Sequence, residues 1–183
     1  MSRAKQASTY QDYLALPEDR RFELIEGELC MVPSPSFFHQ AIARNLVFLL
    51  WQHVKANDLG VVVGAPMDLV LSDHDVVQPD VMFISKAMRG IITEASIQGT
   101  PDLIVEIVSP THRERDLLVK KTLYARYKVS EYWVVDPGDR TIEQLVHTGE
   151  AFQSRGLFSM GDAMQTSLLP GLVLPVTEVF EPA

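Results

Sequence analysis

Three residues in the middle of the chain have the types and the order that metal-assisted hydrolysis requires. Asp80 follows Pro79 at the start of an apolar run, Glu106 interrupts a second apolar run, and Lys120 comes shortly afterwards. Two carboxylates can converge on a hard divalent cation such as Mg²⁺, which prefers oxygen ligands and keeps several waters. A nearby lysine could orient a metal-bound water or help to deprotonate it. A phosphodiester is the natural substrate for such a set.

Each of these residues also has an ordinary structural explanation. A buried Glu106 needs a partner, because an unpaired buried carboxylate is costly, and a salt bridge from a neighbouring helix would serve as well as a metal. An aspartate after a proline at a strand start is usually a turn or capping residue. Asp116 and Lys120 lie four apart and could form a surface ion pair on a helix. The combination of residues therefore favours a metal site more than any one of them does.

The hydrophobic pattern predicts the elements that must position these side chains. Strands are predicted at residues 22–25, 29–32, 61–63, 68–71, 81–84, 103–108, 131–135 and 141–146, the strand at 103–108 being central because it is apolar on both faces. Helices are predicted at residues 10–16, 37–56 and 116–128, and residues 85–99 are expected to be irregular or weakly helical. This order predicts an α/β fold in which helices pack against a mixed sheet.

Length and composition indicate one ordinary domain. The chain has 183 residues, 46% of them hydrophobic, and no repeat or Pro/Gly/Ser-rich linker divides it. Within a single domain 1–183, we predict an N-terminal helix and hairpin at 8–33, a core at 36–147 and a C-terminal extension at 148–183. No apolar run approaches the roughly 18 residues of a membrane span, and no signal peptide is visible, so a cytoplasmic location is predicted. The single Cys30 excludes an internal disulfide.

Several short motifs resemble, in the same order, the Uma-two branch of the PD-(D/E)XK nuclease superfamily, a group of bacterial restriction-endonuclease-like proteins. The matching segments are residues 22–29 (FELIEGEL), His39, residues 78–81 (QPDV), residues 101–110 (PDLIVEIVSP), Asp116 with Lys120 and Tyr124, and residues 131–137 (EYWVVDP). The resemblance spans roughly Tyr10 to Pro175. Several separate motifs in the correct order make it specific, although no single one would.

The resemblance implies a restriction-endonuclease-like core, with a mixed central β-sheet flanked by helices. It implies that Asp80 and Glu106 ligate Mg²⁺ or Mn²⁺ and that the backbone carbonyl of Ile107 is a further ligand. Val108 stands where the superfamily signature has its lysine. The branch supplies this lysine from the following helix, where Lys120 is the matching position. Lys121 is the second choice, but it points about 100° away around the helix.

Three further residues match positions of the family. Glu23 is expected to support the metal ligands or to add one more ligand, and Tyr124 is expected to pack beside Lys120 or to hydrogen-bond within the site. His39 matches as well, although a histidine at a helix start is more often a cap or packing residue.

The distribution of charge bears on the partner. The formal net charge of −8, from 16 basic and 24 acidic residues, first argues against nucleic acid. Six of the basic residues and only two acidic ones, however, lie between Thr111 and Lys128. A local basic patch can bind a phosphate backbone even on an acidic protein, although a solvated helix face would look the same. Arg113, Arg115 and Lys121 are the predicted DNA-binding residues.

The predicted function is that of a divalent-metal-dependent endonuclease acting on DNA. Two alternatives stay open: a catalytically inactive nuclease fold kept as a binding module, which Val108 and the acidic charge favour, and a hydrolase of another phosphodiester such as RNA. A homodimer is predicted because restriction-type nucleases often pair two sites to cut two strands. Tyr132, Trp133 and the apolar C-terminal tail could form its interface or belong to the core.

Overall fold

The helices are separated by runs of strands along the chain, which gives a mixed α/β fold. The computed structural model describes residues 7–17, 21–109 and 113–181, without the side chains of residues 113–116. The helices are α1 (Tyr10–Leu14), α2 (Phe37–Ala56), α3 (Arg113–Arg126) and α4 (Val176–Phe180), and a 3₁₀ helix spans Lys86–Ile91. The strands are β1 (Phe22–Ile25), β2 (Glu28–Met31), β3 (Gly60–Gly64), β4 (Leu69–Ser72), β5 (Asp75–Val77), β6 (Val81–Ser85), β7 (Ile97–Gln98), β8 (Leu103–Ile107), β9 (Glu131–Asp136), β10 (Thr141–His147), β11 (Phe152–Ser159), β12 (Ala163–Met164) and β13 (Leu174–Pro175).

A six-stranded mixed sheet in the order β11-β10-β9-β8-β6-β3 is the centre of the fold. Strand β8 lies in its interior, antiparallel to β6 and parallel to β9. Every residue of β8 is buried, which explains why the strand is apolar on both faces and confirms the prediction that it is central. Glu106 is therefore a carboxylate in the middle of the sheet.

A second sheet of five short strands has the order β2-β1-β5-β4-β7. Its β1–β2 hairpin turns at Glu26 and Gly27, which both have positive φ. A Cβ atom on Gly27 would lie 2.6 Å from the Cβ of Ala7, so this turn requires glycine. Strands β5 and β7 were not predicted, because two or three residues are too few to show an alternating pattern.

Alternate residues of β8 face different helices. Val105 packs with α2 and with Trp133, whereas Ile104 packs with Tyr124 of α3 and with Tyr132. Glu106 shares the parity of Ile104 and so points toward α3. The C-terminal tail joins the core on the α2 side through its buried apolar residues Leu169, Leu172, Leu174, Val176, Val179 and Phe180. Tyr132 and Trp133 are fully buried core residues.

None of the helices in the described ranges is long and apolar enough to span a membrane.

Asp75 of β5 fastens the end of α3 to the five-stranded sheet. Its carboxylate accepts hydrogen bonds from the Glu26 backbone N–H at 2.9 Å, from Ser72 Oγ at 2.9 Å and from Tyr127 Oη at 2.7 Å. Arg126 also reaches it, at 3.2 Å. Burial alone would raise the pKa of Asp75, but these hydrogen bonds and the arginine lower it. The network therefore stabilises the fold above the ordinary pKa of an aspartate and is lost in acid.

We predict that Asp75→Ala lowers the free energy of unfolding by about 2–4 kcal/mol at neutral pH, because it leaves buried donors without an acceptor. Urea unfolding monitored by circular dichroism measures this. The difference from the unsubstituted protein should shrink as the pH falls through the lowered pKa of Asp75, where the carboxylate is protonated in both folded and unfolded chains. The exposed Asp73→Ala is the control, with a change under about 0.5 kcal/mol. Equal effects of both substitutions would contradict this role.

Candidate functional site

Lys120 joins three elements of the fold in one buried contact. Its ammonium group on α3 donates to Glu23 Oε1 of β1 at 2.8 Å and to Glu106 Oε1 of β8 at 3.0 Å. The three side chains are only 15%, 9% and 11% exposed, respectively. Because water is largely excluded, each charge depends on the others for compensation. The contact links the five-stranded sheet to the central sheet through α3.

Tyr124 lies one helical turn after Lys120 and supports the same carboxylate. Its hydroxyl donates to Glu106 Oε1 at 2.5 Å. The spacing of four residues places Lys120 and Tyr124 on one face of α3, as the sequence predicts. Both donors bind Oε1, so neither of them uses Oε2 of Glu106.

Asp80, directly before β6, is tied to the residue after Glu106. Its Oδ2 accepts the backbone N–H of Ile107 at 2.7 Å and lies 3.3 Å from His39 Nε2. Neither contact uses Oδ1. The Nδ1 atom of His39 is buried and has no hydrogen-bond partner among the described residues. Asp80 and Glu106 thus approach one another at the end of β8.

Glu23 also supports the segment that carries Asp80. Besides Lys120, its Oε1 accepts the backbone N–H of Gln78 at 3.1 Å. Gln78 lies in the QPDV segment, but the sequence assigned it no role, because its contact with Glu23 is made by the backbone and leaves no residue-type signal. Glu23 therefore holds both the lysine and the turn before Asp80 in place.

The electrostatics of the site follow from burial and from the crowding of carboxylates. The pKa of Glu106 is raised to about 7, mainly by burial; Lys120 and Tyr124 oppose the rise, and Asp80 and Glu23 add to it. Burial would lower the pKa of Lys120, but Glu106 and Glu23 hold it well above its usual range. Lys120 is therefore an ammonium ion at neutral pH. Burial likewise opposes charging of His39, but Asp80 and the Ile107 backbone raise its pKa.

The structure brings together Asp80, Glu106 and Lys120, and it places Glu23, His39 and Tyr124 around them. Lys120 is buried in contacts with Glu23 and Glu106, so it is not an ordinary surface lysine. The side chain of Asp116, its predicted surface partner, lies outside the described residues.

Of the three predicted DNA-binding side chains, the structure describes only that of Lys121. Lys121 is only partly exposed. The side chains of Arg113 and Arg115 lie outside the described residues. Arg126, which adds to the basic density of this segment, pairs with Glu26 at 2.8 Å and with Asp75. Part of the positive charge on α3 thus serves internal contacts.

The residues present fit a hard divalent cation. No three histidine, cysteine or acidic side chains in the described part of the chain converge as a direct ligand group. Mg²⁺ needs only one or two carboxylates, with waters completing the shell, and Asp80, Glu106 and the Ile107 carbonyl are oxygen donors of that kind. Burial, and after it the nearby carboxylates of Asp80 and Glu23, disfavour the charged form of Glu106, and a bound cation would favour it.

Comparisons with known proteins agree with this architecture. The model of the Uma2 family, described as "Putative restriction endonuclease", matches residues 10–177. The chain is similar in fold to the crystal structure of a "putative nuclease belonging to DUF820" from Anabaena variabilis, with a TM-score of 0.78 and 22% sequence identity over 94% of this chain and 97% of that one. No curated protein matches the chain. The predicted fold class is confirmed.

We predict that Lys120→Met lowers the free energy of unfolding by about 3 kcal/mol at pH 8, because it leaves Glu23 and Glu106 buried without a cation. Without Lys120 the pKa of Glu106 rises above about 7, so the loss of stability should grow as the pH rises and Glu106 ionises. Chemical unfolding at pH 5 and pH 8 measures both effects.

Lys121→Met is the matched control, since it removes the same charge from the next position of the helix. We expect it to change stability by less than about 0.5 kcal/mol. A Lys120→Met effect that is no larger than this, or that is greater at pH 5 than at pH 8, would show that the lysine does not compensate the two carboxylates.

Proposed function

The chain belongs to the Uma2 family, and we propose that it is a divalent-metal-dependent endonuclease that hydrolyses phosphodiester bonds of DNA. The observation that carries the proposal is the buried contact of Lys120 with Glu106, next to the hydrogen bond that ties Asp80 to Ile107. Two carboxylates and one lysine are the set that metal-assisted phosphodiester hydrolysis requires. Their long separation in sequence and close approach in space favour a catalytic site over incidental surface charges.

Asp80 and Glu106 are proposed to hold Mg²⁺ or Mn²⁺, with the backbone carbonyl of Ile107 as a further ligand. A bound cation would neutralise phosphate charge and activate the attacking water. The carboxylate oxygens that remain for this role are Oδ1 of Asp80 and Oε2 of Glu106, because the contacts described above use the other oxygen of each group.

Lys120 is proposed to replace the lysine that the superfamily signature places on the strand. The strand position is Val108, which is buried and whose backbone N–H donates to Val135 in the sheet. The raised pKa of Lys120 keeps it protonated, so it is suited to donating hydrogen bonds and stabilising negative charge and unsuited to removing a proton. Of the two roles left open by the sequence, orientation of water is therefore the better supported one.

The surrounding residues are proposed to act through these three. Glu23 and Tyr124 hold Lys120 and Glu106 in position. His39 places a titratable group beside Asp80 and could add positive charge where phosphate would approach. The predicted homodimer and cytoplasmic location stay predictions, and any interface must use residues other than Tyr132 and Trp133, which are buried in the core.

We predict that the purified protein nicks or linearises plasmid DNA with Mg²⁺ or Mn²⁺ and that EDTA abolishes this activity. Glu106→Ala and Lys120→Ala should each lower the rate at least about 100-fold, because one removes a metal ligand and the other a charge-stabilising donor. Gel electrophoresis measures the rate, and Arg155→Ala, which removes a positive charge from the exposed strand β11, should cut at the unsubstituted rate.

Three other results would each point elsewhere. Undiminished cleavage by both variants would refute the assigned roles. An inactive protein that binds DNA would favour the non-catalytic binding module. Cleavage of RNA but not DNA would favour the alternative substrate.

A further inference from the structure

The outer face of α2 carries an unusual stripe of exposed residues. Their spacings of three and four place them along one side of the helix, and all of them are exposed: Phe37, Gln40, Arg44, Phe48, Trp51 and Lys55. We call this set the α2 stripe. The whole of α2 contains no aspartate or glutamate, although the chain has 24 acidic residues. An acidic protein thus presents one helix that is basic and aromatic.

A groove of about 620 Å³ runs beside the α2 stripe and reaches the candidate site. Its outer wall includes Arg44, Phe48 and Trp51, and its inner end is lined by His39 and Asp80. The opposite wall is built from the small residues Gly64, Ala65 and Pro66. The volume lies within the range of ligand-binding clefts. A chain-like ligand in this groove would therefore be led to Asp80.

Two arginines in the groove have no carboxylate partner among the described residues. Arg21 Nε donates to the amide oxygen of Gln78 at 2.8 Å, and Arg44 Nη2 donates to that of Asn45 at 2.9 Å. Within the described ranges, no carboxylate lies within the ion-pair distance of 4.0 Å from either guanidinium. Lys120, by contrast, is engaged by buried carboxylates. Guanidinium groups of this kind are suited to phosphate oxygens.

The aromatic residues of the groove wall are exposed well beyond what core packing needs. Phe48 is 53% exposed and Trp51 is 45% exposed. Lys55 Nζ lies 4.5 Å from the centroid of the Trp51 ring, which places another cation beside this aromatic surface. Aromatic side chains interleaved with cations are the usual platform for unpaired bases, which stack on the rings while the cations follow the phosphates. The bases of a duplex are already stacked and offer no free face.

We propose that the groove beside the α2 stripe binds a single-stranded segment of DNA, with bases stacked on Trp51 and Phe48 and phosphates held by Arg21 and Arg44. The proposal rests on the proposed function in one respect: the single-stranded segment would be part of the DNA substrate, and the groove would lead it to Asp80. It assigns the main nucleic-acid contact to α2, whereas the charge count along the sequence favoured α3.

Binding is tested without catalysis, by fluorescence anisotropy of a dye-labelled oligothymidine of about 20 nucleotides in EDTA at low salt. We expect Trp51→Ala and Arg44→Ala each to weaken binding about five- to tenfold, since each removes a stacking or phosphate contact. Arg155→Ala and Leu157→Ala are the matched controls, because both residues are exposed on β11 and the pair removes one charge and one apolar side chain. The controls should bind like the unsubstituted protein.

Intrinsic fluorescence gives a second readout that a structural defect would not imitate. The chain has two tryptophans, of which Trp133 is fully buried, so quenching on addition of oligothymidine reports on Trp51. Trp51→Phe should keep most of the affinity, because phenylalanine still stacks, but should lose the quenching.

The outcomes separate this inference from the proposed nuclease activity. Unchanged oligothymidine affinity in Trp51→Ala and Arg44→Ala would overturn it, even if the protein cleaves plasmid. Equal or tighter binding of a duplex of the same length would overturn the single-strand assignment. A protein dimer by sedimentation that Trp51→Ala dissociates would show that a second copy occupies the groove and would also overturn it. The predicted losses in a protein that cleaves nothing would uphold the groove and reject the nuclease.

Discussion

A buried ammonium ion shared by two carboxylates is the constraint on which the rest of the site depends. Lys120 can remain charged in a nearly dry environment only because Glu23 and Glu106 both lie within hydrogen-bond distance. Glu106, whose pKa burial raises and Lys120 lowers, could not stay ionised there at low cost without the lysine. The contact therefore fixes three elements relative to one another: the first strand of the five-stranded sheet, the middle strand of the central sheet and helix α3.

The other contacts of the site extend this constraint to Asp80. Glu23 holds the backbone of Gln78, two residues before Asp80, and Asp80 in turn accepts the N–H of Ile107, next to Glu106. Each carboxylate is thus held through one oxygen while its other oxygen takes no part in these contacts. At the far end of α3, Asp75 binds Tyr127 and Arg126, which fastens the helix against the five-stranded sheet. Stability and site geometry depend on the same few buried polar contacts.

The sequence predicted those features that have a local signal. The α2 helix was predicted from its periodicity and β8 from its apolar run, and the spacing of four placed Tyr124 beside Lys120 on one face of α3. The contact between Lys120 and Glu23 joins residues 97 positions apart, so no spacing rule could reveal its geometry, and only the family resemblance drew attention to Glu23. The exposure of the Phe48 and Trp51 side chains was not predicted from the sequence either, because an apolar residue on an amphipathic helix is normally expected to be buried.

The proposed placement of the metal ion is the central claim, and a crystal soaked in Mn²⁺ tests it most directly. Anomalous scattering would locate the ion without reference to activity. We predict a peak bridged by Asp80 and Glu106, within about 2.0–2.6 Å of one oxygen of each and of the Ile107 carbonyl, with Lys120 still on Glu106. Full occupancy of Mn²⁺ elsewhere, or no peak between these two carboxylates at saturating Mn²⁺, would contradict it.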